Sequence, residues 1–401
     1  MAHVAIVGAG VIGCASAWAL TRAGHRVTLI EKAGVCSGAS ARNGAQLSYA
    51  YGDALASPGL LAQMPAILMG RDPAFRVWLS PDPAFLLWGL RFLSNATPAR
   101  FRANTTALLQ MAARTQALLP QVVDQFGLRF DYAKAGKMIL YPDAASLASA
   151  RATSQMKLAL GIAQTVLTRG EATGIEPALA HYRDPIEGVV YSPDDAVGRP
   201  RAFCEGVVAG LQREGGLDLM PGAEVSGLRV RNNRVTGLEF RTRPPLLADA
   251  VVLATGHGRL SKASPGGIWP VQGYSVTVSV GPEAMRTSIT DVKRKLVFAR
   301  LGDQVRIAGI ADIGPRRFTF RPDRFTALMD GANAAFAKGF DLSGDVEPWS
   351  EARPCTPSSQ PIIGPGKVKG LFFNLGHGTL GWTICLGAAE VLASHMLGAL
   401  M

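Results

Sequence analysis

The 401-residue chain is 48% hydrophobic and 18% charged, which supplies a core and excludes a disordered chain. Lysine and arginine outnumber aspartate and glutamate by 41 to 30, a formal charge of +11 that favours anionic substrates, lipid headgroups or polyanions. Five scattered cysteines (Cys14, Cys36, Cys204, Cys355, Cys385) without a C-x-x-C pair argue against a disulfide framework or a zinc site, and for a reducing compartment.

The first residues already read as a strand, His3–Val7, so no targeting leader is expected. The strand runs into Gly8-Ala9-Gly10-Val11-Ile12-Gly13, then a helix from Cys14 to Ala23, the stop Gly24 and a second strand, Arg26–Glu31. This is a βαβ unit of dinucleotide-binding length. Gly8 is read as the tight turn, Gly10 as the point of backbone approach to a pyrophosphate, and Gly13 as the close helix–strand contact. The helix N-terminus adds unpaired N–H groups and positive potential. Glu31 is placed to accept hydrogen bonds from ribose hydroxyls, and its charge disfavours a 2′-phosphate. The small, polar run Cys36 to Ser48 suits a backbone lying along an extended ligand.

From Leu60 to Leu93 the chain is apolar but interrupted by Arg71, Asp72, Arg76, Asp82, Arg91 and four prolines, so this zone cannot span a bilayer. Residues 54–123 hold six arginines against two aspartates, and Phe85–Leu93 has the composition of a surface-inserting segment. Packing against the protein's own core or a second subunit is the competing expectation. Helices follow at 98–126, 147–160 and 201–214, with a helix-ending turn at 172–177. Strands are expected at 136–141, 188–191, 224–231, 234–241 and 250–253, the last entering Ala254-Thr255-Gly256. Alternating runs at 274–280, 296–301 and 304–310 predict an antiparallel sheet. A strand at 371–374, the loop 375–381 and an apolar helix from Trp382 to about Leu397 close the chain. The pattern is α/β, or α+β overall: a parallel dinucleotide-binding domain carrying an inserted, mostly antiparallel sheet.

Five motifs occur in one order along the whole chain: Gly8–Gly13 with Glu31; Ser40-Ala41-Arg42-Asn43-Gly44-Ala45-Gln46; Pro270 to Ser275; Arg353-Pro354-Cys355-Thr356-Pro357; and Gly376-His377-Gly378-Thr379-Leu380-Gly381-Trp382. With them the sequence resembles the flavoproteins of the D-amino acid oxidase superfamily, most of all the bacterial D-amino acid dehydrogenase branch. The resemblance implies a Rossmann-type FAD-binding domain made of residues 1–128, 187–262 and 353–401, and a substrate domain made of 129–186 and 263–352. It implies non-covalent FAD. The cofactor contacts would be Gly8, Gly10, Val11, Ile12, Gly13, Glu31 and Lys32, then Ser40, Arg42, Asn43, Gly44, Ala45, Gln46 and Leu47. Val225, Ala254, Thr255 and Gly256 would continue them, with Ala254–Gly256 near the pyrophosphate. Gly376, His377, Gly378, Thr379 and Leu380 would direct N–H groups at the flavin N1–C2=O edge. Two positions depart from the pattern: Gln272 stands where a lysine is frequent, and Ser358-Ser359 where Asp-Gly is frequent. Cys355 does not sit in a pattern for covalent flavin attachment.

An α-amino acid bound as its neutral amine can pass its Cα hydride to flavin N5, and the resulting imine hydrolyses to a 2-oxo acid and ammonia. Such a site needs orientation above all, and a guanidinium fork matches a carboxylate. Arg353 carries that role by resemblance, against the plain reading of a surface ion pair; Arg199 and Arg294 are the next candidates. His377 is a general-base or packing candidate. Tyr49, Tyr51 and Tyr274 are candidate pocket-wall hydroxyls, Tyr274 also a catalytic one, and Gly378 a backbone contact. The expected activity is oxidative deamination of a D-amino or proline-like imino acid, with electrons passed to a quinone-type acceptor. The alternatives are an oxygen-using amino acid oxidase, an RNA-modifying flavoprotein and a non-catalytic nucleotide-binding regulator. No metal or nucleic acid partner is expected, and the expected location is cytoplasmic, peripheral on the inner face of the membrane.

Overall fold

The computed structural model describes residues 1–400 apart from Pro73, Pro315, Phe318 and Asp345. A six-stranded sheet forms the first layer, in the order β20 (Ile362–Pro365), β21 (Leu371–Leu375), β13 (Ala250–Leu253), β1 (His3–Val7), β2 (Arg26–Glu31) and β9 (Leu217–Pro221). All neighbours are parallel except the edge strand β20, which the sequence reading left unassigned. Strands buried on both sides explain the continuous apolar runs of β1 and β13.

Four helices cover one face: α1 (Val11–Arg22), α4 (Pro98–Phe126), α7 (Pro200–Arg213) and α9 (Gly381–Leu400). Local signals set their limits. Thr97 caps α4 by accepting a hydrogen bond from the Arg100 N–H, Pro98 opens it, and Gly127 closes it at φ +62. By length and composition α9 could cross a bilayer, yet it packs against α1 and α4 with Leu386, Ala389 and Leu392 in the core. A small antiparallel sheet, β10 (Val225–Arg231), β11 (Arg234–Phe240) and β12 (Leu246–Leu247), covers the opposite face through Val235 and Leu238.

The second unit is a ten-stranded sheet. Its main path is β18 (Phe340–Asp341), β14 (Trp269–Val280), β17 (Gln304–Ile313), β16 (Leu296–Leu301), β15 (Ser288–Asp291), β5 (Lys137–Tyr141), β7 (Gly188–Ser192) and β6 (Thr165–Leu167). Strand β19 (Trp349–Cys355) joins β14, and β4 (Phe75–Val77) joins β17. The pairing is antiparallel apart from β5 with β15 and β4 with β17. One face packs on α6 (Arg169–Ile175) and α8 (Pro322–Ala335) through Ala172, Phe298, Leu328 and Ala332. Side chains alternate across a strand, so Met138 and Leu140 enter that core while Lys137, Ile139 and Tyr141 face a cavity.

The expected domain limits are corrected. Each of the segments 1–128, 187–262 and 353–401, expected in the first domain, sends a strand into the large sheet: β4 pairs with β17, β7 with β5 and β6, and the end of β19 with β14. Backbone pairing, which the local sequence does not encode, decides this. The remaining pieces are α2 (Pro58–Leu68), α3 (Pro83–Ser94), α5 (Ala144–Leu158) and the two-stranded pair β3 (Gln46–Leu47) with β8 (Ala196–Val197).

Candidate functional site

A cavity of about 1720 Å³ runs between the two sheets, from the Gly8 turn to the wall made by β5 and α5. At its first end Gly8 adopts φ +106, and a Cβ there would lie 2.6 Å from the Ala254 carbonyl oxygen. A Cβ on Gly13 would fall 1.8 Å from the Gly8 carbonyl oxygen. Both positions therefore exclude any side chain, Gly8 by conformation and crowding and Gly13 by crowding alone. The Val11 N–H donates to Ser40 Oγ at 3.2 Å, tying the helix start to the polar loop. At the end of β2 the Glu31 carboxylate accepts from the Ala9 N–H at 2.9 Å and the Ala33 N–H at 3.1 Å, facing the cavity. The residues expected to hold the cofactor line this cavity, except Gly13, Leu47 and Gly376, which are buried behind its wall.

The large sheet positions the polar loop. Ser275 Oγ donates to the Arg42 carbonyl at 2.6 Å and Arg306 Nη1 to the Asn43 carbonyl at 2.8 Å. Arg306 is buried, and burial together with the charges of Arg199 and Arg42 pushes its pKa down to about 9. Arg42 itself pairs with Glu347.

Arg353 extends from β19 across β14. Its guanidinium reaches the Ile310 and Gly309 carbonyls of β17 at 3.4 and 3.5 Å, long contacts that leave donors free toward the cavity. Among the described residues it has no carboxylate within ion-pair distance, and burial holds its pKa below the usual arginine range. The alternatives are engaged elsewhere and off the cavity wall: Arg199 pairs with Asp131, and Arg294 with Asp184 and Asp291.

His377 is buried beside it, with Nε2 unpartnered, and burial pushes its pKa down to about 3. It is a neutral imidazole at any working pH. The backbone here is tied to β19 by the Gly378 N–H donating to the Pro354 carbonyl at 2.8 Å. Burial pushes the Cys355 thiol up to about 12, which removes the thiolate that a flavin linkage would need.

The three tyrosines separate. Tyr51 lines the cavity. Tyr49 does not: the turn closed by the Tyr51 N–H on the Ser48 carbonyl sends Tyr49 into the helix-side core, correcting the expected wall position. Tyr274 lines the cavity, but its hydroxyl donates to Asp312 Oδ2 at 3.3 Å, and Asp312 is paired with buried Arg324 at 2.8 Å. Burial and the Asp312 charge both raise its pKa, so Tyr274 keeps its proton and serves as wall, not as an acid–base group. Gln272 also faces away, donating to Thr319 and Ser350.

The sequence reading missed a polar cluster at the far end. Lys137 Nζ donates to Gln46 Oε1 at 3.0 Å and Ser48 Oγ at 2.8 Å, and lies 4.4 Å from the Tyr51 ring centroid. Lys157 Nζ pairs with Asp53 at 2.8 Å, 5.3 Å from the same ring. Burial lowers the Lys137 pKa to about 8, the Asp195 charge opposing and the Lys157 charge adding; burial raises Asp195 to about 6. The available signal was a lysine opening the apolar strand Lys137-Met138-Ile139-Leu140.

A glycine turn with no room for side chains, an acid at the second strand end and a long polar-walled cavity define a dinucleotide-binding oxidoreductase site. Residues 3–395 match the DAO family, FAD dependent oxidoreductase, and the chain belongs to that family. It is similar to D-amino acid dehydrogenase 2 of Ralstonia nicotianae, 38% identical over 409 residues covering 98% of this chain and 95% of that protein. It is also similar to D-amino acid dehydrogenase of Paramagnetospirillum magneticum, 35% identical over 407 residues, with 98% and 95% covered. Among solved structures, glycine oxidase from Bacillus cereus shares the fold at TM-score 0.72 and 20% identity, covering 99% of this chain and 95% of its own. L-proline dehydrogenase from P. horikoshii does so at 0.72 and 16%, covering 99% and 93%.

Proposed function

We propose that this protein oxidises D-amino acids, proline-like imino acids included, and passes the electrons to a quinone-type acceptor. The observation that carries the reading is Arg353: a half-buried guanidinium, lining the cavity beside the 376–380 loop, with no carboxylate within ion-pair distance among the described residues. A buried cation without a partner is costly, and a substrate carboxylate relieves that cost on binding. FAD, when bound, supplies the electron sink for the Cα hydride.

The chain's own residues orient and enclose. Arg353 holds the α-carboxylate by its fork. Neutral His377 lets an amine approach without repulsion, and Tyr51 and Tyr274 wall the chamber. The Gly8 turn, Glu31 and the loop held by Ser275 and Arg306 hold the nucleotide. Anaerobic bleaching of the flavin by a panel of D- and L-amino acids tests the reading; bleaching by L-enantiomers alone overturns it.

The acceptor and the location rest on the surface of α2 and α3. Phe85 and Trp88 pack inward, Trp88 Nε1 donating to the Cys355 carbonyl at 3.0 Å, while Leu86, Leu87 and Leu90 of the same helix are exposed. Leu61, Leu68, Met69 and Leu79 are exposed on the neighbouring segments, and Arg71, Arg76 and Arg91 flank them. This supports a peripheral attachment to an anionic leaflet, where quinone is at hand. Stopped-flow reoxidation decides the acceptor: faster reaction with a soluble quinone is expected, and faster reaction with oxygen, with matching peroxide, would make the protein an oxidase.

A further inference from the structure

We propose that Lys137 binds a second carboxylate, on the substrate's side chain, so that the longer dicarboxylic D-amino acids are the preferred substrates. The inference rests on the reading above and adds the substrate class.

Lys137 and Lys157 are buried, Arg353 is half-buried, and all three line the cavity. Lys157 is neutralised by Asp53 at 2.8 Å. Arg353 and Lys137 are not neutralised in this way, neither having a carboxylate within 4 Å among the described residues. Both acceptors of the Lys137 ammonium, the Gln46 amide and the Ser48 hydroxyl, are uncharged. The ring of Tyr51 lies against it at 4.4 Å, a contact that accommodates a cation without cancelling its charge. Asp195 and Asp53 act on Lys137 from beyond ion-pair distance; Asp195 does not line the cavity, and Asp53 is paired with Lys157. The nucleotide phosphates belong with the Gly8 turn at the other end, so they do not satisfy this cation.

Register gives the spacing. The Gln46 amide that accepts from Lys137 is itself anchored on β15, donating to Ser288 Oγ at 2.6 Å. Arg353 is held at Gly309 of β17. Along the paired rows, Ser288 and Gly309 are two strands apart and offset by three residues. At ~4.8 Å per strand and ~3.3 Å per residue the Ser288 and Gly309 backbone positions lie about 14 Å apart, with Lys137 reaching in from the first side and Arg353 from the second. A substrate spanning both needs an extended chain between its carboxylates plus a hydrogen bond at each end. The longer chains of glutamate and 2-aminoadipate suit two anchors on separate strands better than that of aspartate.

The experiment uses the FAD-loaded full chain with a dye acceptor and compares each acid with an uncharged near-isostere: D-glutamate against D-glutamine, and D-2-aminoadipate against D-norleucine. The acid is expected to exceed its partner in kcat/KM by tenfold or more. Lys137→Met should collapse that ratio toward one, and Lys137→Arg should keep it. Adipate, which cannot react, should shift the visible flavin spectrum at lower concentration than hexanoate, and Lys137→Met should erase the difference. Equal kcat/KM for acid and amide in the unaltered protein overturns the proposal. So does a Lys137→Met protein that loses acid and amide activity alike, which would assign Lys137 to the flavin or the fold. If no D-amino acid bleaches the flavin, the dehydrogenase reading fails, and the adipate titration still decides whether Lys137 is an anion site.

Discussion

Gly273 and Arg353 compete for one volume: a Cβ at position 273 would lie 2.3 Å from Arg353 Nη2. The guanidinium crosses β14 at the one residue of that strand that leaves it room, and from there it meets the carbonyls of Gly309 and Ile310. A β-bulge in the β14–β17 pairing between Gln272 and Tyr274 marks the same place. The position of the Arg353 guanidinium is therefore set by β14 and β17 jointly.

Gly273→Ala should displace Arg353 and lower kcat/KM by tenfold or more, about 1.4 kcal/mol, while FAD stays bound. Arg353→Met should cost ~2–5 kcal/mol of transition-state binding, since a desolvated carboxylate loses its charged partner. Steady-state kinetics with a dye acceptor checks both. Unchanged kcat/KM in Arg353→Met would place the anchor on another residue.

Glu31 holds the Ala9 and Ala33 amides and lines the cavity. Glu31→Ala should weaken FAD binding by ~1.5–3 kcal/mol, the range for a hydrogen bond to a charged group. Fluorescence titration of apoprotein with FAD measures it. Equal affinity would show that the carboxylate serves only the turn.

His377 is neutral in the folded protein, with a pKa near 3 against 6.5 when unfolded. The unfolded chain binds the extra proton, so this contribution to stability is complete above about pH 6.5 and is lost as the pH falls toward 3. The loss approaches about 1.4 kcal/mol per pH unit inside that window. Denaturant unfolding of the native chain and His377→Gln, compared at pH 7.5 and 5.0, should show the native chain losing more on acidification. An equal loss in both would mean that His377 titrates normally.

The exposed face of α3 offers a test of attachment. Leu86→Asp with Leu90→Asp should abolish co-sedimentation with anionic phosphatidylglycerol vesicles and leave flavin content intact. Raised salt should weaken binding of the native chain, because each basic residue near the leaflet contributes about 1 kcal/mol through a screened interaction. Vesicle binding unaffected by both changes would remove α3 from the contact.

Much of the nucleotide end could be read from the chain because its determinants are local. Gly8, Gly10, Gly13 and Glu31 lie within one βαβ unit, where turn geometry and strand length alone decide what each residue does. The limits of α4 were legible for the same reason: Thr97, Pro98 and Gly127 act on their own helix ends. The substrate end was not local. Lys137 meets Gln46 across 91 positions of sequence. Tyr49 and Tyr51 part company at a turn, and the hydroxyl of Tyr274 is claimed by Asp312 on the next strand. Composition and period say that a strand has two faces. Which face meets the cavity, and which cation there finds no carboxylate, follows from the register of β5, β15, β16 and β17, and that register is fixed by side chains packed from distant parts of the chain.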